Sequence, residues 1–207
     1  MLLSANTRPL LSGLAALAAA LLINPLAVGP ARADNPDLPA CLDFERAACD
    51  AVLRTEPDNL TALFLRGLAS ELAGDEQAAL ADFDATATRE PRHFGAQLWR
   101  QVAAASLQQD RRALLEAYLA GAKQLAPWPR VLAELYLGKA DAGAVLQLAE
   151  GQPATARAEA ICAAEYHIGR ALALSGDMEA AKVHFGRALA TGAEHVFEYR
   201  AAERALH

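Results

Sequence analysis

Aromatic and β-branched residues are scarce in this sequence, in which alanine and leucine dominate. Phe, Trp and Tyr together account for 6% of its 207 residues. Alanine and leucine lose little conformational freedom on entering a helix, whereas β-branched and aromatic side chains lose more. The chain is also 54% hydrophobic, which is enough apolar material for a core. The composition therefore predicts an all-α protein.

The sequence also lacks the residue patterns that catalysis or cofactor binding requires. It contains no haem-attachment motif, phosphate-binding glycine loop or serine nucleophile elbow. None of its histidines has a Cys or His partner at a metal-ligand spacing. The histidines are His93, His167, His184, His195 and His207. We therefore expect no enzyme activity, metal, cofactor or small-molecule substrate, whereas a catalytic alternative requires a cluster of titratable groups in a pocket.

A surplus of basic residues is missing as well. Lys and Arg number 19 against 25 Asp and Glu, so the formal net charge is −6. Such a surface repels phosphate backbones, and no basic cluster interrupts it. Most of the carboxylates fit solvated helix faces and turns. We therefore do not expect nucleic acid as a partner.

Residues 1–33 have the pattern of an export signal. An apolar run over residues 10–28 is followed by small residues at the positions that a signal peptidase reads, so we expect cleavage after Ala33. The signal contains two arginines and no acid, so the mature periplasmic chain of residues 34–207 has a net charge of −8. An uncleaved anchor is disfavoured because an Asn-Pro pair interrupts a run barely long enough to span a bilayer. Membrane attachment is therefore not expected.

Three cysteines, Cys41, Cys49 and Cys162, lie in the predicted mature chain. Cys41 ends a Leu-Pro-Ala-Cys segment that loosely resembles a lipid-attachment motif, and a lipid-anchored envelope protein is the alternative localisation. In an oxidising compartment, one disulfide with a spare thiol is also an option. On one continuous helix Cys41 and Cys49 would lie about 12 Å apart, so a bridge needs a helix break or Cys162. We expect buried apolar thiols and leave the pairing open.

The strongest pattern in the mature chain is an internal repeat. Gly67, Ala79 and Phe83 each have an identical residue 102 positions later, beginning with Gly169, and both copies contain a Gly-Asp pair. The separation is three times 34, the period of tetratricopeptide helix hairpins. Each copy predicts two helices that pack closely at the first glycine, with the alanine as the facing small surface. The Gly-Asp pair forms the turn, and the phenylalanine fills the space towards the next hairpin.

The 34-residue frame divides the mature chain into units. Pro57 and Pro91 each end a second helix and begin a linker. Residues 43–55 form the second helix of a partial hairpin, whose apolar side, including Phe44, needs a homodimer contact or an extra N-terminal turn to cover it. The units are 40–59 (partial), 60–93, 94–127, 128–161 (irregular) and 162–195, followed by a C-terminal helix over 194–206. Within the later units, helices are predicted over 94–107, 110–125, 131–137, 141–150, 154–175 and 178–191.

This pattern resembles the tetratricopeptide repeat family, which implies a solenoid of stacked helix hairpins. The C-terminal half is similar to NlpI-type bacterial envelope proteins, in a Tyr-Leu-Gly segment that ends at Gly138 and a Phe-Glu-Tyr-Arg segment that ends at Arg200. Members of that family are generally dimeric adaptors that bring peptidoglycan hydrolases and a periplasmic protease together. The resemblance implies an adaptor of the same kind. Those proteins are lipid-anchored through an N-terminal cysteine, whereas this sequence predicts cleavage after Ala33.

A stacked-hairpin solenoid has a concave wall built from the first helix of each hairpin, where repeat proteins commonly bind peptides. For each aromatic residue on that wall, packing between repeats is the alternative. Arg170 is the sharpest candidate, because a guanidinium in an acidic groove can capture a partner's carboxylate or chain terminus. The alternative role for Arg170 is a local contact with Tyr166. If Arg170 binds the partner, we expect Arg170→Glu to abolish binding with little loss of folding. The predicted partner-binding residues are Phe64, Leu68, Glu71, Trp99, Tyr166 and Arg170.

Together these patterns predict a non-catalytic scaffold or adaptor of the bacterial cell envelope. Its partners are expected to be other proteins or peptides, among them peptidoglycan hydrolases or a periplasmic protease. The alternative is an assembly or maturation factor for one exported enzyme complex. Both are binding functions, so the sequence separates them poorly.

Overall fold

The computed structural model describes residues 35–207, and every regular element in that part of the chain is an α-helix. The predicted all-α class is therefore confirmed. The predicted signal segment 1–33 and its cleavage site after Ala33 lie outside the described residues. The described helices are α1 (Leu38–Leu42), α2 (Arg46–Thr55), α3 (Leu60–Ala73), α4 (Glu76–Arg89), α5 (Phe94–Ser106), α6 (Arg112–Gly121), α7 (Pro127–Tyr136), α8 (Ala142–Glu150), α9 (Arg157–Leu174), α10 (Met178–Ala190) and α11 (Phe197–Leu206).

The two Gly-Asp pairs form the predicted turns. Gly74 ends α3 with a φ of 71°, and Gly176 follows α9 with a φ of 92°. This left-handed region is open to glycine without a steric penalty. The next residue in each pair, Asp75 or Asp177, accepts a hydrogen bond from a backbone N–H in the first turn of the following helix. The same local sequence therefore ends one helix and begins the next in both copies.

Gly67 and Gly169 occupy equivalent helix crossings. A Cβ atom at Gly67 would lie 2.6 Å from Phe83 Cε1, and one at Gly169 would lie 2.8 Å from Phe185 Cδ1. The predicted close approach is confirmed, but the surface that faces each glycine is mainly the phenylalanine ring. In the second copy the backbone carbonyl oxygen of Ala181 also lies 3.0 Å from the Cβ position of Gly169.

Most helix boundaries lie within three residues of the sequence predictions. The largest differences are in α6, which ends at Gly121 instead of residue 125, and in α7. α7 begins at Pro127, four residues before the predicted start. Proline is compatible with the first turn of a helix because the N–H that it lacks has no partner there.

Cys41 and Cys49 form a disulfide, so the expectation of unpaired thiols is wrong for these two cysteines. Their Cα atoms lie 4.6 Å apart. The chain breaks between α1 and α2 at Phe44, which has a φ of 63° although it is not glycine. The break brings together two cysteines that a continuous helix would separate, and α2 consequently begins at Arg46 instead of residue 43. Cys162 is unpaired and buried.

The last helix contacts the first hairpin, so the helical array closes on itself. α11 packs against α3 as well as against α9 and α10. The Phe197 ring lies 5.3 Å from the Phe44 ring, and Arg200 hydrogen-bonds the carbonyl oxygen of Asp43 at 2.8 Å. The apolar side of the N-terminal segment is therefore covered within one chain, by α1 and α11, and does not require a homodimer contact.

Two hydrophobic clusters share α5 and α9 as their common wall. Trp99 and Tyr166 belong to the cluster that also contains α2, α3, α4, α10 and α11. Leu98 and Ile168, on other faces of the same two helices, belong to the cluster with α6, α7 and α8. Because α5 and α9 are buried on more than one side, they fix the position of the helices on either side of them.

Candidate functional site

Three of the predicted binding residues are part of the core. Phe64, Leu68 and Trp99 are each at most 3% exposed. The Phe64 ring packs 5.7 Å from the Phe83 ring, and the Trp99 ring packs 4.9 Å from the Phe197 ring. This is the packing role that the sequence left open for the aromatics. Because these side chains are buried, a partner has no access to them in this arrangement.

The other three predicted residues, Glu71, Tyr166 and Arg170, line one cleft. Its volume is about 470 Å³, and it is formed by the end of α3, the start of α4, the end of α5, α9, the start of α10 and α11. Glu71 and Arg170 are 99 residues apart in the chain. The closure of the array brings them together, and this cleft is the candidate site.

Arg170 forms the polar floor of the cleft. Its Nη2 donates to Glu71 Oε1 at 2.9 Å, to Glu76 Oε1 at 3.1 Å and to Ser106 Oγ at 2.7 Å. The guanidinium therefore joins the first hairpin to α9, which goes beyond the local contact with Tyr166 that the sequence offered. Arg170→Glu would place a third carboxylate beside two others, so we now expect it to destabilise the fold, in contrast to the expectation from the sequence.

The surroundings of the Glu71 carboxyl favour its protonated form. Burial, together with a hydrogen bond to the Glu76 side chain, raises the pKa of Glu71 to about 8 although Arg170 opposes the shift. The Oε2 atoms of both glutamates are buried and lack a partner when both groups are ionised. A proton on Glu71 supplies the donor that this pair needs.

Part of the Arg170 guanidinium remains open to the cleft. Within residues 35–207 its hydrogen bonds all come from Nη2, and Nε is buried without a partner. Nη1 makes no hydrogen bond within the same residues, and Arg170 lines the cleft with its side chain 20% exposed. Tyr166 also lines the cleft although it is almost fully buried, and this burial holds the pKa of Tyr166 well above its ordinary value.

The wall of the cleft is mostly apolar. Leu72, Leu174 and Met178 line it, together with small alanines of α9 and α11. Met178 on this wall is 45% exposed. Methionine adapts its shape to different partners, so the wall has the composition of a binding surface.

Arg204 lies at the mouth of the cleft on the last turn of α11. Its Nη2 is 3.1 Å from the position that a Cβ atom would take at Gly74. Among the described residues, this exposed guanidinium has no hydrogen bond or ion pair. The sequence prediction missed both Arg204 and Met178. The spacing of Phe197, Ala201 and Arg204 on one face of a helix was the available signal, but it does not reveal what that face contacts.

A second group of buried polar side chains lies outside the cleft. Tyr136 Oη and His167 Nδ1 are hydrogen-bonded at 2.8 Å, and His167 Nε2 lies 3.8 Å from Glu198 Oε1. His167 and Glu198 are buried, with Glu198 2% exposed, and Tyr136 is partly buried against both hydrophobic clusters. Cys162 is also buried, and burial raises the pKa of its thiol to about 12, so it is a poor nucleophile.

Two other histidines make structural contacts. His93 Nδ1 accepts from the backbone N–H of Ala96 at the start of α5, and His184 pairs with Glu165. Within residues 35–207, no group of three or more His, Cys, Asp or Glu side chains is arranged to hold a metal ion. In the same part of the chain, none of the helices combines the length and the apolar character that crossing a bilayer requires.

Comparison with known proteins does not identify a family. No protein-family model matches the chain, and a search of curated proteins finds no significant match to it.

Proposed function

We propose that this chain is a non-catalytic scaffold or adaptor of the bacterial cell envelope that binds other proteins or peptides at the Arg170 cleft. The observation that carries the proposal is the cleft itself. An apolar wall with the exposed Met178 stands beside two guanidiniums, Arg170 and Arg204, that have open hydrogen-bond donors. Arginine and adaptable apolar side chains are the residue types on which polypeptide recognition commonly depends.

The proposed architecture is a tetratricopeptide-like array of helix hairpins. Its support is the equivalence of Gly67 and Gly169, which meet Phe83 and Phe185 at closely similar distances 102 residues apart. The resemblance of the C-terminal half to NlpI-type adaptors favours peptidoglycan hydrolases or a periplasmic protease as the recruited partners.

The proposed location is the periplasm, after removal of residues 1–33. The Cys41–Cys49 disulfide supports this proposal, because disulfides persist in oxidising compartments. It also occupies the Cys41 sulfur, which a lipid thioether would need. A soluble exported chain is therefore favoured over the lipid-anchored alternative.

Binding accounts for the cleft better than catalysis does. The cleft does contain the cluster of titratable groups that a catalytic function requires, and burial raises the pKa of both Glu71 and Tyr166. However, the Glu71 side chain is only 4% exposed and its Oε1 is bonded to Arg170. Glu71 and Glu76 are both bonded to Arg170, and the rest of the lining is mainly apolar surface and the Arg204 guanidinium.

Affinity capture from envelope extract with two matched variants tests the proposal. Met178→Glu places a charge on the cleft wall, whereas Val183→Glu places the same charge on the same helix at a residue that is 52% exposed and does not line the cleft. We expect Met178→Glu to lose the captured partners and Val183→Glu to retain them, with both variants keeping the helical circular dichroism of the parent.

The identity of the captured proteins separates the two binding functions. Hydrolases or a protease support the adaptor, whereas a single exported enzyme complex supports an assembly or maturation factor. Undiminished capture by Met178→Glu would rule out the cleft as the binding site.

A further inference from the structure

The cleft has a charge and a shape that favour one class of polypeptide ligand. Building on the proposed binding function, we infer that it takes the C-terminal residue of a partner chain. The terminal carboxylate docks at the guanidiniums of Arg170 and Arg204, and an apolar terminal side chain packs on Leu174 and Met178. Four features of the cleft support this inference.

The first feature is the position of the two guanidiniums. Arg170 hydrogen-bonds Glu71 and Glu76, which flank the turn between α3 and α4, and Arg204 lies over Gly74 within that turn. Both cations therefore border the same short segment of backbone. Guanidinium and carboxylate form charge-assisted hydrogen bonds, which are stronger than those between neutral groups.

The second feature is the balance of charge. The ionisable groups of opposite sign that line the cleft are Glu71 and Glu76 against Arg170 and Arg204. Because the pKa of Glu71 is raised to about 8, mainly by burial, this carboxyl is neutral at pH 7 and leaves one negative charge against two positive ones. A chain with a net charge of −6 thus has a locally positive cleft, which favours an anionic group and disfavours a lysine side chain or an amino terminus.

The third feature is the unused donors. Arg170 lines the cleft and its Nη1 makes no hydrogen bond within residues 35–207. The exposed Arg204 lines the same cleft and has no hydrogen bond or ion pair in that part of the chain. A carboxylate accepts hydrogen bonds only, so it matches a site whose open polar groups are donors.

The fourth feature is size. A volume of about 470 Å³ lies near the lower end of the range for ligand pockets and suits one or two residues rather than a long segment. A chain terminus carries a carboxylate and a side chain on the same residue. An apolar terminal residue therefore places one group on the guanidiniums and the other on the wall.

Fluorescence anisotropy with two short labelled peptides tests the inference. Both end in Ala-Leu-Leu, one with a free carboxylate and the other with a C-terminal amide. We expect the free acid to bind ~10-fold more tightly than the amide, the effect of losing a charge-assisted contact worth about 1.4 kcal/mol. Arg204→Gln should weaken binding of the acid and leave the amide unchanged, whereas the exposed Arg187→Gln on α10, outside the cleft, should change neither.

The outcomes separate this inference from the proposed function. Equal binding of acid and amide, binding of neither peptide, or no effect of Arg204→Gln overturns docking of the terminal carboxylate. If partner capture still depends on Met178 in that case, the proposed binding function stands and only the inference fails. If capture does not depend on Met178, the proposed function fails as well.

Discussion

At the scale of single residues, the repeat depends on two positions where a side chain is absent. At Gly67 the Phe83 ring lies where a Cβ atom would be, and at Gly169 the Phe185 ring does the same. Both rings are fully or almost fully buried, so neither can move aside without disturbing the core. The glycines therefore set the distance between the two helices of each hairpin.

Gly67→Ala should lower the free energy of unfolding by ~1–3 kcal/mol, because the new methyl group overlaps a buried aromatic ring. Gly186→Ala is the matched control. Gly186 is exposed on α10 and has nothing within 4 Å of its Cβ position, so this change should raise the stability by ~0.5–1 kcal/mol through helix propensity. Urea unfolding measures both. Equal stability of Gly67→Ala and the parent would contradict the close crossing.

Glu71 should give the protein a specific pH dependence of stability. Burial raises its pKa from an ordinary value of 4.5 to about 8, so between these values the folded chain holds a proton that the unfolded chain has released. Its contribution is therefore fully present below pH 4.5 and is lost as the pH rises through about 8. Urea unfolding at pH 6 and at pH 9 gives the unfolding free energy that each protein loses as the pH is raised. This loss should be smaller for Glu71→Gln than for the parent, by ~1 kcal/mol per pH unit at most. Identical losses would show that Glu71 is ionised in the folded state at both pH values.

The sequence identified residues better than it identified their environments. Glu71, Tyr166 and Arg170 do line the candidate site, but Phe64 and Trp99 are buried. The same helix face is a surface in an open array and a core in a closed one. Local patterns are identical in the two cases, so they could not distinguish them.

At the scale of helices and turns, the least predictable element is the N-terminal break between α1 and α2. Gly-Asp pairs and prolines mark the other helix ends through their own backbone preferences, which is why most boundaries were predictable. Phe44 has no such preference, because a left-handed conformation is uncommon for a bulky residue. The disulfide and the packing of Phe44 on Phe197 hold it there.

Removal of the disulfide should therefore loosen the N-terminal elements. A double variant, Cys41→Ser with Cys49→Ser, should lose ~2–3 kcal/mol of unfolding free energy, the loop-closure value for a short loop. A reductant should destabilise the parent by a similar amount and leave the double variant unchanged. A thiol assay after denaturation without reductant should find only Cys162 reactive. Three reactive thiols in the denatured parent would contradict the bridge.

At the scale of the whole molecule, closure of the helical array decides which side chains remain accessible. α11 packs on α3, Phe197 contacts Phe44 and Trp99, and Arg170 bonds Glu71 across 99 residues. These contacts fill the concave side that an open solenoid would offer to a peptide and leave the Arg170 cleft in its place. The curvature of a repeat array is the sum of small rotations between neighbouring units. A small error in the predicted rotation of one unit therefore places the two ends of the array far apart. This is why the sequence predicted hairpins but not their closure.

Photo-crosslinking from single positions on α10 tests the proposed binding site most directly. A photoreactive residue replaces Met178 on the cleft wall or, in the matched chain, the equally accessible Val183 outside it. After irradiation in envelope extract, we predict that position 178 forms a covalent adduct with a partner protein and that position 183 does not. An adduct from position 183 alone, or from neither position while the partner is still captured, would place the binding surface elsewhere and contradict this account.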